Sequence, residues 1–343
     1  MNAALRRVAL YVALPLAVLT AVGYGWYRWS DTGKGWRFED RLAAYCGGLL
    51  PYEEAAQATG LDAGNGLPLD RFSPAEEPPY HFCKVAETYL VIAEVPGGAT
   101  GHDRAGDLFD HLDESAGDAL PRELGGGWTG YADASATAVV LPCAGKDTSV
   151  LVSAGASGGN RPFARLVTAT AARAAAHHDC DTRLGGTLPG LPDPEEDETY
   201  GLLEEDPSLA DGTCAGIPLD GDEEVRAVRE TKTTGASPLE RCVLGATPGD
   251  GRDLYRLTAS FGPFAQRLRT DPPRPGSLNA DSGRTGDVAW ATAACPGTSV
   301  RAVFSIDPQQ SAAPAPGFLR SALKGFAERA AKARGCTDLR LPR

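Results

Sequence analysis

The sequence predicts an α+β protein, with an N-terminal transmembrane helix followed by two repeated domains. Each domain is an antiparallel sheet closed by a helix and holds two disulfides. Three observations predict this fold: an uncharged run of 20 residues near the N-terminus, eight cysteines in two similarly spaced sets, and an alanine-rich helical pattern that ends each set. Agreement in order, spacing and context between two halves of a chain indicates an internal repeat.

The acidic charge of the chain is concentrated in one stretch. The 343 residues include 45 acidic and 33 basic side chains, for a net charge of −12. Thirteen of the acids lie in the 42 residues between Arg183 and Arg226, which contain no Lys or Arg. The remainder is near neutral, so the basic surface that nucleic-acid binding requires is not expected. The content of 42% hydrophobic and 23% charged residues is typical of folded globular protein, and the length suggests two domains.

The uncharged run covers residues 8–27 and is bounded by Arg7 and Arg28. A helix of this length spans roughly 30 Å, the thickness of a bilayer core. Aromatic residues at its far end resemble an interfacial belt; they are Tyr24, Trp26, Tyr27 and Trp29. We therefore predict a retained membrane anchor over residues 8–27, preceded by a cytoplasmic tail over residues 1–7. A cleaved signal peptide, with its cleavage site at residues 21–23, is the alternative.

The cysteines indicate the compartment. Basic residues lie on both sides of the run and do not define its orientation. All eight cysteines follow it, and none has the C-x-x-C spacing of zinc or redox motifs. We expect a single-pass protein of the cell membrane, with the chain from about residue 30 onward outside the cytoplasm.

The two cysteine sets define the domain boundaries. The first set is Cys46, Cys83, Cys143 and Cys180, with gaps of 37, 60 and 37 residues. The second set is Cys214, Cys242, Cys295 and Cys336, with gaps of 28, 53 and 41 residues. We place the first repeat at residues 36–183 and the second at 209–343. Residues 184–208 form an acidic, Gly- and Pro-rich linker that is expected to stay extended in water.

Both repeats have the same predicted order of elements: a short helix, a hairpin, a connection with helical character, a second hairpin and a long helix. In the first repeat these cover residues 51–59, 82–85 with 88–95, 105–113, 136–141 with 148–153, and 166–180. In the second they cover residues 223–229, 241–245 with 254–260, 263–268, 288–294 with 298–306, and 318–336. Antiparallel strands followed by a packed helix predict a compact α+β sandwich.

Four cysteines in each domain allow three pairings. The closing helix must return antiparallel to the last strand, which brings its end near the start of that strand. This favours Cys143–Cys180 and Cys295–Cys336, and leaves Cys46–Cys83 and Cys214–Cys242. The alternative joins the first cysteine to the fourth and the second to the third.

Several short patterns could carry chemistry. Gly155-Ala156-Ser157-Gly158-Gly159 matches the nucleophile elbow G-x-S-x-G, but the only later histidines are His177 and His178 in the next helix. Residues 125–130 match G-x-G-x-x-G without the βαβ context of a dinucleotide site, so we interpret them as a loop. All five histidines lie in the first repeat, without recognised ligand spacing; they are His81, His102, His111, His177 and His178.

Two further features have simple structural interpretations. His178 corresponds to Arg334 in the second repeat, and a basic residue near a helix C-terminus interacts favourably with the helix dipole. The acids at residues 195–198, 204–206 and 220–224 lack the ordered pattern of an EF-hand, which favours a solvated spacer over a calcium site.

The Cys46-Gly47-Gly48-Leu49-Leu50-Pro51 motif resembles the start of uncharacterised membrane-anchored exported proteins of actinomycetes, of the Streptomyces type, with tandem cysteine-containing domains. Those proteins carry a second cysteine on a strand and an alanine-rich closing helix. The chain also distantly resembles actinobacterial lipoprotein domains of unknown function, although it has no lipid-accepting cysteine. Neither resemblance implies catalytic residues.

We therefore expect a non-enzymatic envelope protein that is anchored through its N-terminal helix and binds a small ligand or an envelope protein, but no nucleic acid. No catalytic residue, cofactor or metal ligand is assigned. The alternatives are an envelope hydrolase that uses Ser157 and a purely structural spacer. A catalytic site would form a polar cluster in one pocket, whereas a binding site would form an apolar groove or patch.

Overall fold

A computed structural model describes residues 13–62, 67–74, 79–97, 120–133, 136–155, 161–190, 206–248, 252–270, 278, 280–309, 312 and 316–343. Within these residues the chain forms two antiparallel sheets of seven strands each, accompanied by six α-helices. The predicted tail at residues 1–7, the connection at 105–113, and His102 and His111 lie outside the described residues.

The first sheet contains the strands of the first repeat. They are β1 (Leu69–Ser73), β2 (Tyr80–Val85), β3 (Thr88–Pro96), β4 (Arg122–Glu123), β5 (Gly130–Ala132), β6 (Ala136–Pro142) and β7 (Thr148–Gly155). Their order across the sheet is β1-β2-β3-β7-β6-β5-β4. The two predicted hairpins, β2–β3 and β6–β7, are confirmed, and their inner strands β3 and β7 pair at the centre.

The second sheet contains the strands of the second repeat. They are β8 (Ala227–Arg229), β9 (Leu239–Gly245), β10 (Asp253–Ser260), β11 (Gly283–Thr285), β12 (Val288–Ala294), β13 (Ala302–Pro308) and β14 (Thr337–Arg340). Their order is β11-β12-β13-β10-β9-β8, and β14 also pairs with β12. The order β2-β3-β7-β6 in the first sheet thus matches β9-β10-β13-β12 in the second, as a duplication requires.

Four helices belong to the repeats. They are α3 (Tyr52–Thr59), α4 (Arg161–His177), α5 (Pro263–Thr270) and α6 (Pro316–Ala333). The short helix predicted at residues 51–59 is confirmed as α3, and the closing helices are confirmed as α4 and α6. The helix predicted at residues 223–229 is wrong: the chain there makes turns and then the three-residue strand β8. Val228 sits in the second core, and its β-branched side chain suits a strand.

Both faces of the central strands are buried. In β3, Leu90 and Ile92 face the first core under α4, while Val91 and Val95 belong to a separate cluster on the other face. This alternation follows from the two-residue period of a strand. That second cluster also contains Phe264 of α5, which comes from the second repeat. The first repeat therefore packs against Phe264 and Leu239 of the second through the sheet face that α4 leaves uncovered, whereas the corresponding face of the second sheet packs against α5 of its own repeat.

Polar contacts surround this inter-repeat packing. The Glu123 carboxylate of the first repeat accepts hydrogen bonds from the backbone N–H of Thr234, at 2.8 Å, and of Ala236, at 3.3 Å. At another point the Ser299 hydroxyl lies 2.9 Å from both carboxylate oxygens of Asp147. These bonds fix how the two repeats meet.

The N-terminal part of the described chain is a pair of helices, α1 (Leu14–Trp29) and α2 (Asp31–Ala44). Ser30 separates them, because its side chain accepts a hydrogen bond from the Gly33 N–H and caps α2. Trp26 packs edge-on against Trp36, with ring centroids 5.5 Å apart. Phe38 of α2 is buried in the first core, which connects this helix pair to the first repeat.

The prediction of a transmembrane helix is wrong for the described residues, where no helix is long and apolar enough to cross a membrane. The described part of the predicted run, residues 13–27, lies almost entirely in α1, which begins at the edge of the described residues. The predicted run extends to residue 27 without a charge, but its first residues, 8–12, lie outside the described part. At its other end the helix continues only to Trp29 before Ser30 starts a polar helix.

The four disulfides are formed, and they are the ones that the strand–helix geometry favours. The bonds join Cys46 to Cys83, Cys143 to Cys180, Cys214 to Cys242, and Cys295 to Cys336. Each cysteine pairs with its neighbour in sequence, so every bridge closes within one repeat. No free cysteine occurs in the described chain.

Candidate functional site

A partly enclosed cavity of about 320 Å³ lies between the two repeats. The first repeat contributes residues of its inter-repeat face, namely Thr129, Val140, Pro142 and Ser149. The second repeat contributes three loops and the end of α6, namely Gly235, Ala236, Pro238, Phe261, Gly262, Pro263, Cys295, Pro296, Gly297, Thr298, Ala333 and Arg334. Its size is at the lower end of the range for small-molecule sites, and polar and apolar groups contribute almost equally to its lining.

Arg334 is the charged residue of the cavity lining. It directly follows α6, and its guanidinium carbon lies 3.9 Å from the centre of the Phe261 ring. This stacking is a cation–π contact and holds the planar guanidinium in one orientation. Arg334 also donates a hydrogen bond to the carbonyl of Ser237.

No carboxylate of the described residues forms an ion pair with Arg334. The nearest acids are already engaged: Glu240 pairs with Arg329 at 2.7 Å, and Glu123 accepts the bonds from the 234–236 backbone. The Arg334 Nε is buried and has no hydrogen-bond partner within the same residues. Burial lowers the pKa of the Arg334 guanidinium to about 10, and the negative charges of Glu240 and Glu123 offset only part of this effect. The cavity wall therefore carries an under-compensated positive charge.

The first repeat places a carboxylate beside the basic residue at the equivalent place, and the two form an ion pair only when the histidine is protonated. His178 and Arg334 each precede the closing cysteine by two residues. The residues that they contact, Glu94 and Phe261, are also equivalent. In the register of the sheets, Cys83 lies opposite Leu90, and Cys242 lies opposite Leu257. Glu94 and Phe261 each follow the leucine of their own repeat by four residues. His178 Nδ1 lies 3.3 Å from the Glu94 carboxylate. The second repeat keeps a basic residue here but replaces its carboxylate partner with an aromatic ring.

The described histidines form a cluster at one end of the first sheet. The rings of His177 and His178 are 5.0 Å apart, and His81 on β2 stacks on Phe72 with centroids 4.6 Å apart. Burial lowers the pKa of His81, against the influence of Asp70, and His177 and His178 lower it further. Burial likewise lowers the pKa of His178; Glu94 opposes this, while His177 and Lys146 add to it. Among the described residues, no group of three His, Cys, Asp or Glu could hold a metal ion.

A second, more open groove of about 490 Å³ runs along α4. It is lined by residues of α3 and α4, by Trp128 and by residues 184–188, which the sequence assigned to the linker. The Trp128 Nε1–H donates to the Gly186 carbonyl at 2.9 Å. Gly185 lies so close to this ring that a Cβ there would be 2.3 Å from it. Leu188 is buried in the first core, so residues 184–188 pack against the first repeat.

The loop at residues 125–130 behaves as a turn into β5. Gly125, Gly126 and Gly127 all have positive φ angles, between 62° and 81°. A Cβ at Gly126 would lie 2.6 Å from the Thr187 carbonyl oxygen, which explains the glycine at that point. The loop positions Trp128 and has no role resembling a phosphate cradle.

Ser157, the nucleophile of the alternative hydrolase, lies outside the described residues. The preceding strand β7 is described as far as Gly155. The hydrolase alternative therefore stays a prediction.

The acidic stretch is only partly described, since residues 191–205 lie outside. Asp206 caps a short 3₁₀-helix by accepting a hydrogen bond from the Ser208 N–H at 2.8 Å. Asp222 accepts a hydrogen bond from the Tyr255 hydroxyl, and burial together with this carboxylate raises the Tyr255 pKa. These described acids make local structural bonds.

Comparison with known proteins finds no match to any family model, any curated protein or any solved structure. The resemblance to actinomycete exported proteins therefore stays a prediction. The site has to be interpreted from its own geometry.

Proposed function

We propose that this is an exported, non-enzymatic protein that binds a small molecule in the cavity between its two repeats. The observation that carries the proposal is the cavity itself, which is bordered by both repeats and has a mixed polar and apolar lining with a single stacked arginine. Ligand sites commonly lie at domain interfaces and combine apolar walls with a few oriented polar groups.

Disulfide usage supports the location outside the cytoplasm. All eight cysteines are paired, and structural disulfides persist in oxidising compartments. The presence of the cavity favours binding over a structural spacer, since a spacer has no need of a cavity. Catalysis finds less support, because the described cavity lining contains no histidine or carboxylate that could act as an acid or base.

A ligand screen with a blocked cavity tests the proposal. Ser149→Phe places a ring in the cavity, whereas Ala144→Phe adds the same ring to the exposed turn of the same hairpin. Saturation-transfer NMR of amino acids, organic acids, nucleosides and sugars is recorded with the wild type and both variants, after circular dichroism establishes that all three are folded.

We expect at least one compound to receive saturation from the wild type and from Ala144→Phe but not from Ser149→Phe. If every compound behaves identically with the three proteins, the cavity is not a binding site and the proposal fails.

A further inference from the structure

The two repeats differ in one respect that points to a ligand. A basic residue follows the closing helix in both, and it contacts the same position of the third strand from the sheet edge, Glu94 in the first repeat and Phe261 in the second. Only the first repeat supplies a carboxylate. In the second repeat the corresponding cation is Arg334, which lines the cavity.

We propose that the cavity binds a monocarboxylate with an apolar body, and that the ligand carboxylate complements Arg334 as Glu94 complements His178. This inference rests on the proposed function, since it assumes that the cavity is a binding site. The planar guanidinium is the side chain best suited to a carboxylate, which it can hold through two parallel hydrogen bonds.

The surrounding charges select a singly charged ligand. Arg334 brings one positive charge to the lining, and Glu240 and Glu123 lie close enough to influence it, so the site is not expected to favour a phosphate dianion. Glu240 pairs with Arg329, and Glu123 accepts hydrogen bonds from backbone N–H groups. Arg334 is therefore the cation of the lining that can accept a carboxylate from a ligand.

The remaining walls define the body of the ligand. They include the Phe261 ring, Val140, and the prolines Pro142, Pro238 and Pro296. These groups offer no hydrogen-bond donors from their side chains, so the part of the ligand that they cover is apolar. The hydroxyls of Thr129, Ser149 and Thr298 leave room for a few polar atoms on it.

Binding of an acid and of its neutral amide provides the test. 3-Phenylpropionate and 3-phenylpropionamide, together with 1-naphthoate and 1-naphthamide, are titrated into the wild type by isothermal calorimetry, with inorganic phosphate as a further probe. Arg334→Gln removes the guanidinium, and Lys332→Gln removes a charge from the exposed last turn of the same helix.

We expect at least one acid to bind the wild type and Lys332→Gln at least tenfold more tightly than its amide, and phosphate to bind weakly. In Arg334→Gln this preference should fall to about twofold or less. Phe261→Glu gives a second reading, because it supplies Arg334 with an internal carboxylate and should abolish binding of the acids while the fold persists by circular dichroism.

Equal binding of acids and amides, or a preference that survives in Arg334→Gln, overturns the carboxylate proposal and leaves the cavity as a site for neutral ligands. If none of the four probes binds, the carboxylate proposal is also overturned. The proposed function itself fails only when the NMR screen finds no compound that depends on an unblocked cavity.

Discussion

The two repeats build the same strand order with different interiors. Ten residues before the closing cysteine, α4 has Thr170 and α6 has Phe326, and both side chains are fully buried. The first repeat places Phe38, Leu49 and Leu50 from its N-terminal segments in its core. The second has turns in the corresponding region and fills its core with aromatic residues of α6 and β10. The same topology therefore allows core volume to be supplied either by large side chains of the closing helix or by the segment that precedes the sheet.

The difference between the repeats also explains where a ligand-binding site can arise. In the first repeat the basic residue after the helix contacts the carboxylate of Glu94, and in the second its counterpart stacks on the Phe261 ring instead. A duplicated fold can thus acquire a ligand position by losing one internal partner.

The largest expected effect distinguishes the disulfides of the two repeats. Cys46 and Cys83 are fully buried, whereas Cys295 and Cys336 are partly exposed, and the loops that they close are similar, with separations of 37 and 41 residues. Each bridge is expected to contribute about 4 kcal/mol through loop closure. Replacing the Cys46–Cys83 pair by alanine should cost about 1–2 kcal/mol more than replacing Cys295–Cys336, because buried sulfur packing is also lost. Urea unfolding of the two double variants measures the difference, and equal losses would contradict it.

The helix cores provide the next effect. Phe326→Ala should lower the free energy of unfolding of the second repeat by about 3–5 kcal/mol through the cavity that it leaves. Thr170→Ala, at the matching position, should cost the first repeat only about 1 kcal/mol, mainly from the hydroxyl that bonds the Leu166 carbonyl. Hydrogen exchange followed by mass spectrometry assigns each loss to its repeat. If both variants lower the free energy of unfolding by the same amount, the two closing helices do not differ in core packing as described.

Acid should affect the first repeat alone. Burial lowers the pKa of His81 and His178 below the ordinary 6.5, so the unfolded chain binds protons that the folded chain does not. Stability is then retained above pH 6.5 and falls as the pH decreases below it. The second repeat contains no histidine.

Hydrogen exchange at pH 7 and pH 5, corrected for intrinsic rates, should show loss of protection confined to the first repeat. The double variant His81→Gln, His178→Gln should lose protection to a smaller extent. An equal loss of protection in both repeats, or a loss in the double variant as large as in the wild type, would exclude the histidines as the cause.

The sequence predicted the elements that depend on local pattern. Continuous apolar strands, hairpin turns and alanine-rich helices were sufficient for the two hairpins and the closing helix of each repeat and for the disulfide pairing. The shorter strands β1, β4, β5, β11 and β14 were not predicted. The prediction from sequence failed for β8, because a strand of three residues that is held by its neighbour has little pattern of its own. It was also wrong for the membrane helix within the described residues, where no helix is long and apolar enough to cross a membrane.

The candidate site was not accessible to the same reasoning. The correspondence of His178 and Arg334 was visible, since both precede a cysteine by two residues. Their partners were not, since Glu94 follows Cys83 by 11 residues but Phe261 follows Cys242 by 19, owing to a longer hairpin loop. Only the register of the folded sheets aligns them. The cavity itself depends on how the sheet face of the first repeat meets the loops and the end of α6 in the second, which no local pattern encodes.

The nearest-neighbour order of the bridges has a consequence for biogenesis. In an exported chain that emerges N-terminus first, each second cysteine appears when its partner is the most recent thiol still unpaired. Vectorial oxidation alone then produces the native set, and a disulfide isomerase has no misplaced bond to correct. Maturation should accordingly depend on an oxidase and be indifferent to the isomerase of its compartment.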